Sequence, residues 1–259
     1  MKITIIGSGN MGGALARAWV NAKSVVPADL TCTAKSPATL ERLQADLPGI
    51  ATSLDNKTAC ADADFVFVCV KPWLVETVAA QIAGTLKIST KIVSVVAGIS
   101  LEDLAKFFGV PAKNVFRAMP NTAVACAQSM TFLCHAGADE AALKTVCGLF
   151  DDLGKTKIIG EEKMSAGMAL ASCGIAYAMR YVRAATEGGV ELGFTAKEAE
   201  AVVLQTLRGA VEILEQSGQH PEEAIDRVTT PGGFTIRGLN AMEAAGFTPA
   251  VIAGLKASN

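Results

Sequence analysis

Residues 3 to 12 constrain the chain most. Ile3, Ile5 and Ile6 form a short apolar run that passes directly into Gly7-Ser8-Gly9-Asn10-Met11-Gly12, and Met11 to Val20 then follows a helical spacing. A strand, a glycine-rich turn and a helix in that order commit the N-terminal half to an α/β fold whose first turn meets a ligand with its backbone. The first glycine permits the sharp turn, the second lets the main chain approach a pyrophosphate, and Gly12 lets the helix pack closely on the strand. The phosphates then rest on the helix N-terminus. The expected ligand is a nicotinamide dinucleotide, held by Gly7, Ser8, Gly9, Asn10, Met11 and Gly12.

The alternation continues. Leu30 to Ala34 reads as a strand, and Ser36-Pro37 starts a helix, with Ser at the cap and Pro at the first helical position, that runs to about Leu47. Phe65 to Val70 and Ile92 to Val96 are continuous apolar runs, as expected of strands covered on both faces. Helical segments at Leu74 to Ile82 and Leu101 to Phe108 complete units that imply a parallel sheet with right-handed crossovers. Val115 to Met119, Met130 to Cys134 and Lys157 to Ile159 read as further strands, with a helix from about Asp139 to Asp151. From Glu161 onward only helical patterns remain: Met164 to Glu191, Ala196 to Ser217, Pro221 to Val228 and Phe234 to Ala245. Gly193, Gly218, Gly232-Gly233 and Gly246 punctuate them. The expected architecture is α/β: a Rossmann-type parallel-sheet domain over 1–160, then an all-helical C-terminal domain over 161–259.

Composition narrows the partners. A net charge of -2 without a run of either sign, and no basic stripe with interleaved aromatics, argue against nucleic acid. The seven cysteines are scattered and never spaced as CxxC, so they read as buried thiols of a cytoplasmic protein. His135 and His220 have no second ligand near them, and no metal is expected. Met164 to Met179 is shorter than the roughly 20 residues a bilayer requires, so no membrane is expected. That segment is apolar on nearly every face and must be covered on every side, which predicts a homodimer built through the helical domain.

The cofactor's identity is read at the end of the second strand. No acid stands between Asp29 and Glu41 to accept hydrogen bonds from a ribose 2'-hydroxyl. Instead Ala34-Lys35-Ser36 brings together a cation, a hydroxyl and the amides of a helix start, which suits a 2'-phosphate. NADPH is therefore favoured, with NADH as the weaker alternative, and Lys35 and Ser36 are cofactor-binding candidates. Val70-Lys71-Pro72 and Ala97-Gly98 leave the carboxyl ends of two strands where the nicotinamide half should run. Near the other end, Pro231 stiffens Thr230-Pro231-Gly232-Gly233-Phe234-Thr235, the glycines free backbone amides, and a helix starts at Phe234. Hydroxyls beside a helix N-terminus make a carboxylate cradle; a simple helix cap is the alternative.

Val228-Thr229-Thr230-Pro231-Gly232-Gly233-Phe234-Thr235-Ile236, followed by Leu239 and Met242-Glu243, resembles the signature of pyrroline-5-carboxylate reductase. Gly7 to Gly12, Val70-Lys71-Pro72, Arg117 with Met119-Pro120-Asn121-Thr122, Gly189-Val190 and Gln205-Thr206 extend the resemblance over nearly the whole chain. It implies reduction of the cyclic imine 1-pyrroline-5-carboxylate to L-proline, with hydride from NADPH. Thr235 should then be the catalytic contact to the ring nitrogen, with Thr230 and the amides of Gly233, Phe234 and Thr235 holding the carboxylate. By the same resemblance Asn56 should touch the cofactor, and Glu161 should be an acid near the substrate. The family's dimers often assemble further into decamers. A protonated imine is already electrophilic, so the shortage of acid-base groups is no obstacle. β-Hydroxyacid dehydrogenases share the two-domain plan but carry a lysine on the first long helix of the second domain. No lysine occurs between Met164 and Arg180, which counts against them. A non-catalytic NADPH sensor is a third reading. The chain departs from the family at Ala171-Ser172-Cys173-Gly174-Ile175, at Thr122-Ala123 and at Phe234. The glycine turn and the Pro-Gly-Gly loop are expected to face each other across one cleft.

Overall fold

The computed structural model describes residues 1–259, which form two compact units, Met1–Ser172 and Cys173–Asn259. The first is built on an eight-stranded sheet. Its strands are β1 (Ile3–Ile6), β2 (Leu30–Thr33), β3 (Ala51–Ser53), β4 (Phe65–Val68), β5 (Lys91–Ser94), β6 (Val115–Met119), β7 (Ser129–His135) and β8 (Gly154–Ile158). They lie in the order β3-β2-β1-β4-β5-β6-β7-β8. The order reverses at β1, which pairs with β2 on one side and β4 on the other, so the ligand crevice of such a sheet belongs at the carboxyl ends of β1 and β4.

Helices α1 (Asn10–Asn21), α2 (Pro37–Asp46), α3 (Asn56–Cys60), α4 (Val75–Ile82), α5 (Leu101–Phe108), α6 (Glu140–Asp151) and α7 (Met164–Gly167) accompany the strands. Side chains alternate across each strand, so the apolar runs supply two cores. Ile3, Ile5, Phe65 and Phe67 join Leu15 and Trp19 of α1 and Phe150 of α6. Ile6, Val66 and Val68 join Val75, Val78 and Ile82 of α4 and Leu104 and Phe108 of α5. Trp19 is fully buried, its ring centroid 4.7 Å from that of Phe67, and its Nε1 donates to the Leu149 carbonyl at 2.7 Å. This anchor seats α1 on the sheet and so aims its N-terminus.

Several boundaries differ from expectation. β1 through β6 are parallel, but β7 runs antiparallel to β6, and β8 is parallel to β7. Between Met119 and Ser129 the chain holds only the 3-10 turn Thr122–Cys126. A parallel crossover needs a longer connection, usually a helix, so the strand returns alongside its predecessor. β3 and α3 were not expected, because three and five residues are too few to show a period. The helix expected over Met164 to Glu191 is interrupted by a π-helical stretch, Met168–Cys173, and the two units divide within it.

The second unit contains α8 (Gly174–Glu191), α9 (Ala196–Ser217), α10 (Pro221–Arg227), α11 (Phe234–Ala244) and α12 (Phe247–Ala257). A capping box starts α9: the Thr195 hydroxyl accepts from the Glu198 amide, and the Glu198 carboxylate accepts from the Thr195 amide. α12 was not expected, since the helical patterns read from the sequence ended at Ala245. Pro249 lies in the first turn, where a missing N–H costs nothing. Within this unit only Thr186 and Ala199 are buried, while Met179, Leu192, Val211, Val251 and Ile252 are exposed. No helix is long and apolar enough to cross a membrane.

Candidate active site

The glycine turn leaves β1 at the switch point. Gly7 has φ +93°, and a Cβ there would lie 2.9 Å from the Cys69 carbonyl oxygen. A Cβ on Gly12 would lie 2.3 Å from the Gly7 carbonyl, whereas one on Gly9 would meet nothing within 4 Å. The first and third glycines are thus required by the protein itself, and the second keeps open the space a ligand needs. The Gly7 and Ser8 amides donate to the Thr33 carbonyl at 3.1 and 2.8 Å, tying the turn to β2. No side chain caps α1 at Gly9, so its first amides remain for an anion. Ser8 is buried, and Asn10 and Met11 line a hollow of about 760 Å³ beside α1 and α2. Arg17 in that hollow is paired with Asp46 at 2.8 Å. Two thiols lie beneath the turn. Burial pushes Cys32 up to about 11 and Cys69 higher still, so neither places a negative charge under a bound phosphate.

On the other side of the turn is a cavity of about 330 Å³ lined by Gly7, Thr33, Ala34, Lys35, Asn56, Val70 and Gln81, among others. No acidic side chain lines it. Asn56 opens α3, whose cap is the Asp55 carboxylate accepting from the Lys57 and Thr58 amides. The Asn56 carboxamide is held from both ends: Thr33 Oγ1 donates to its Oδ1 at 2.6 Å, and its Nδ2 donates to Gln81 Oε1 at 2.7 Å. Ser36 precedes α2 as its cap residue and does not line the cavity, nor do Lys71 and Pro72. Lys71 is exposed before the turn Pro72–Leu74, and Pro72 lines a separate small hollow with Trp73 and Gly98.

Beyond β5 lies a cavity of about 470 Å³ whose walls include Ala97, Gly98, Ile99, Ser100, Arg117 and Glu161. Gly98 has φ +79°, a conformation that favours glycine. Glu161 Oε1 accepts from Arg117 Nη1 at 2.6 Å and from the Leu101 amide at 2.8 Å. Arg117 is almost fully buried. The acid therefore stands at the cavity, but one carboxylate oxygen is engaged in pinning the start of α5 to the middle of β6. Thr33, Gln81 and Arg117 were not among the expected site residues, and Glu161 was expected without its Arg117 partner. The available hint was position, since Thr33 ends β2 and Arg117 lies in the buried strand β6.

In the second unit, the Gly233 amide donates to the Thr230 carbonyl at 2.9 Å, and Gly232 has φ +69°. With Pro231 before Gly232, this is the pattern of a type II turn. Gly233 caps α11 without a side-chain bond, which leaves the amides of Phe234 and Thr235 open. A Cβ on Gly233 would lie 2.4 Å from Thr230 Oγ1, so Thr230 packs against the turn's own backbone. Arg237 stacks over the exposed Phe234 ring at 5.3 Å and donates to the Gly232 carbonyl at 2.8 Å. Thr230, Phe234 and Thr235 are all exposed on this unit.

The chain is similar over its whole length to known proteins. Residues 161–259 match the family model for pyrroline-5-carboxylate reductase dimerisation, and residues 2–98 match that for NADP oxidoreductase coenzyme F420-dependent proteins. The chain is 36% identical to pyrroline-5-carboxylate reductase 1 of Dictyostelium discoideum over 99% of its own length, but spans only 48% of that protein. It is 34% identical to reductase 2 of the same organism, over 98% of this chain and 89% of that one. Among solved structures it is similar to a Plasmodium falciparum pyrroline carboxylate reductase with NADP bound, at 25% identity and a TM-score of 0.88, covering 100% of this chain and 95% of that one. The chain belongs to the pyrroline-5-carboxylate reductase family.

Proposed function

We propose that this chain reduces 1-pyrroline-5-carboxylate to L-proline with NADPH, and that Thr235 is its catalytic contact to the ring nitrogen. The observation that carries the site is the type II turn of Thr230 to Gly233, which delivers uncapped amides and two hydroxyls at the start of α11. The residues of the first unit fit NADP. Gly9 keeps space for the pyrophosphate, the amides of α1 are uncapped, and Lys35 and Asn56 line a cavity without acids.

The cofactor supplies the hydride. Gly7 to Gly12 would hold its phosphates, and Lys35 and Asn56, with Ser36 at the adjoining start of α2, would take its adenosine end. Val70, Lys71, Pro72, Ala97 and Gly98 would border the nicotinamide end. Thr230 and the amides of Gly233, Phe234 and Thr235 hold the substrate carboxylate at a helix N-terminus, where a negative charge is favoured. Thr235 orients the imine nitrogen. The imine carbon would accept the hydride that the cofactor supplies, and the C=N π pair would pass to the protonated nitrogen, leaving a secondary amine. Because the imine nitrogen carries its proton into the reaction, no strong acid is demanded of the protein. Glu161 borders the substrate side, with its Oε1 held by Arg117 and Leu101. The chain forms homo-oligomers; we assign a dimer through the helical domain, assembling further into decamers. Seven free cysteines suit the reducing cytoplasm.

The test is turnover of 1-pyrroline-5-carboxylate with NADPH by the purified protein and by Thr235→Ala. Turnover by the variant should fall at least about a hundredfold, the scale of a lost transition-state contact, while NADPH affinity stays within about threefold, within the ordinary context-dependence of such values. A wild-type protein that binds NADPH but leaves the imine untouched would instead be a sensor. A large loss of NADPH binding in the variant would mean that Thr235 is misassigned.

A further inference from the structure

We infer that Thr33 and Gln81 are positioning residues that set the choice between NADPH and NADH, by fixing which way the Asn56 carboxamide points. The inference rests on the reading above that this cavity takes the adenosine end of the cofactor. A carboxamide presents two acceptor positions on oxygen and two donors on nitrogen, and as a free side chain it serves a hydroxyl or a phosphate equally well. Here it is not free. Thr33 Oγ1 donates to Oδ1 at 2.6 Å, and Nδ2 donates to Gln81 Oε1 at 2.7 Å. Turning the Asn56 group alone would set its oxygen against the Gln81 oxygen.

What remains around the cavity is rich in donors. Asn56 keeps one N–H, Gln81 keeps its amide nitrogen, Lys35 is a cation, and no carboxylate lines the space. A phosphomonoester accepts from all of these. A ribose 2'-hydroxyl must also give away a proton, for which a carboxylate is the usual partner. Thr33 is buried, and its main-chain oxygen accepts from the Gly7 and Ser8 amides. One residue thus ties the phosphate turn, through its backbone, to the orientation of Asn56, through its hydroxyl.

The experiment titrates wild type, Thr33→Val, Thr33→Ser and Gln81→Met with adenosine 2',5'-bisphosphate and with adenosine 5'-monophosphate by calorimetry. Thr33→Val keeps the size and the backbone bonds, and Gln81 is exposed, so both variants keep the fold. Wild type should prefer the bisphosphate. Thr33→Val and Gln81→Met should lose about tenfold toward it, the scale of one weakened hydrogen bond to a charged group. Both should bind the monophosphate within about twofold of wild type, and Thr33→Ser, which restores the hydroxyl, should recover the preference. An unchanged preference in both Val and Met variants, or equal losses toward both nucleotides, overturns the inference and leaves the NADPH assignment standing. A wild type that binds the two nucleotides alike overturns that assignment and the inference with it.

Discussion

Lys35 is the only charged side chain on the cavity we assign to the adenosine end of the cofactor, and it is exposed. An exposed cation contributes little to stability but contributes to binding a doubly charged phosphate, and salt weakens that contribution. Lys35→Ala should therefore raise the KM for NADPH about fivefold, roughly 1 kcal/mol of lost charge–charge attraction, and leave that for NADH within about twofold. The gap between the enzymes should shrink as ionic strength rises. Steady-state kinetics with both cofactors at low and high salt measure this. A preference that survives the substitution would show that uncharged donors read the phosphate. Lys35 was legible in the sequence because it follows a strand directly. Asn56 needed the family resemblance, and Gln81 left no trace, because its contact with Asn56 spans 25 positions and no local period reports such a distance.

The turn between β1 and α1 separates what the protein needs from what the ligand needs. A Cβ at position 12 collides with the Gly7 carbonyl, while one at position 9 meets empty space. Gly12→Ala should destabilise the protein by about 1–3 kcal/mol, the usual cost of overpacking. Gly9→Ala should leave the thermal midpoint unchanged but weaken NADPH at least about tenfold, because the methyl takes space meant for phosphate. Thermal melts with and without NADPH check both, and an unaltered ligand-induced shift in Gly9→Ala would show that the phosphates lie elsewhere. This turn was legible because a strand, three glycines and a helix follow one another without a gap. The direction of β7 was not, since an apolar alternation is the same read along either direction. β3 and α3 were too short to show a period, and α12 carries a proline in its first turn, where it does no harm.

At the scale of the whole molecule, the two units differ in how they hold themselves together. The sheet of the first is covered on both faces by its own helices, whereas the second buries only Thr186 and Ala199. Large side chains such as Met179, Val251 and Ile252 stand exposed on it. A hollow of about 690 Å³ runs between α8 and the α11–α12 pair, lined by Tyr177, Tyr181, Met242, Phe247 and Val251 among others. So much apolar surface in one place calls for a partner, and the matched dimerisation family names a second copy as its kind. Light scattering should give at least twice the 26.8 kDa chain mass. Val251→Asp places a charge where an apolar face must be dry, an unpaired desolvation that costs several kcal/mol. The variant should shift toward single chains, and its thermal midpoint should fall and become concentration-dependent, because the helical unit has almost no interior of its own. If the variant kept the wild-type mass and midpoint, the interface would lie on another face of these helices.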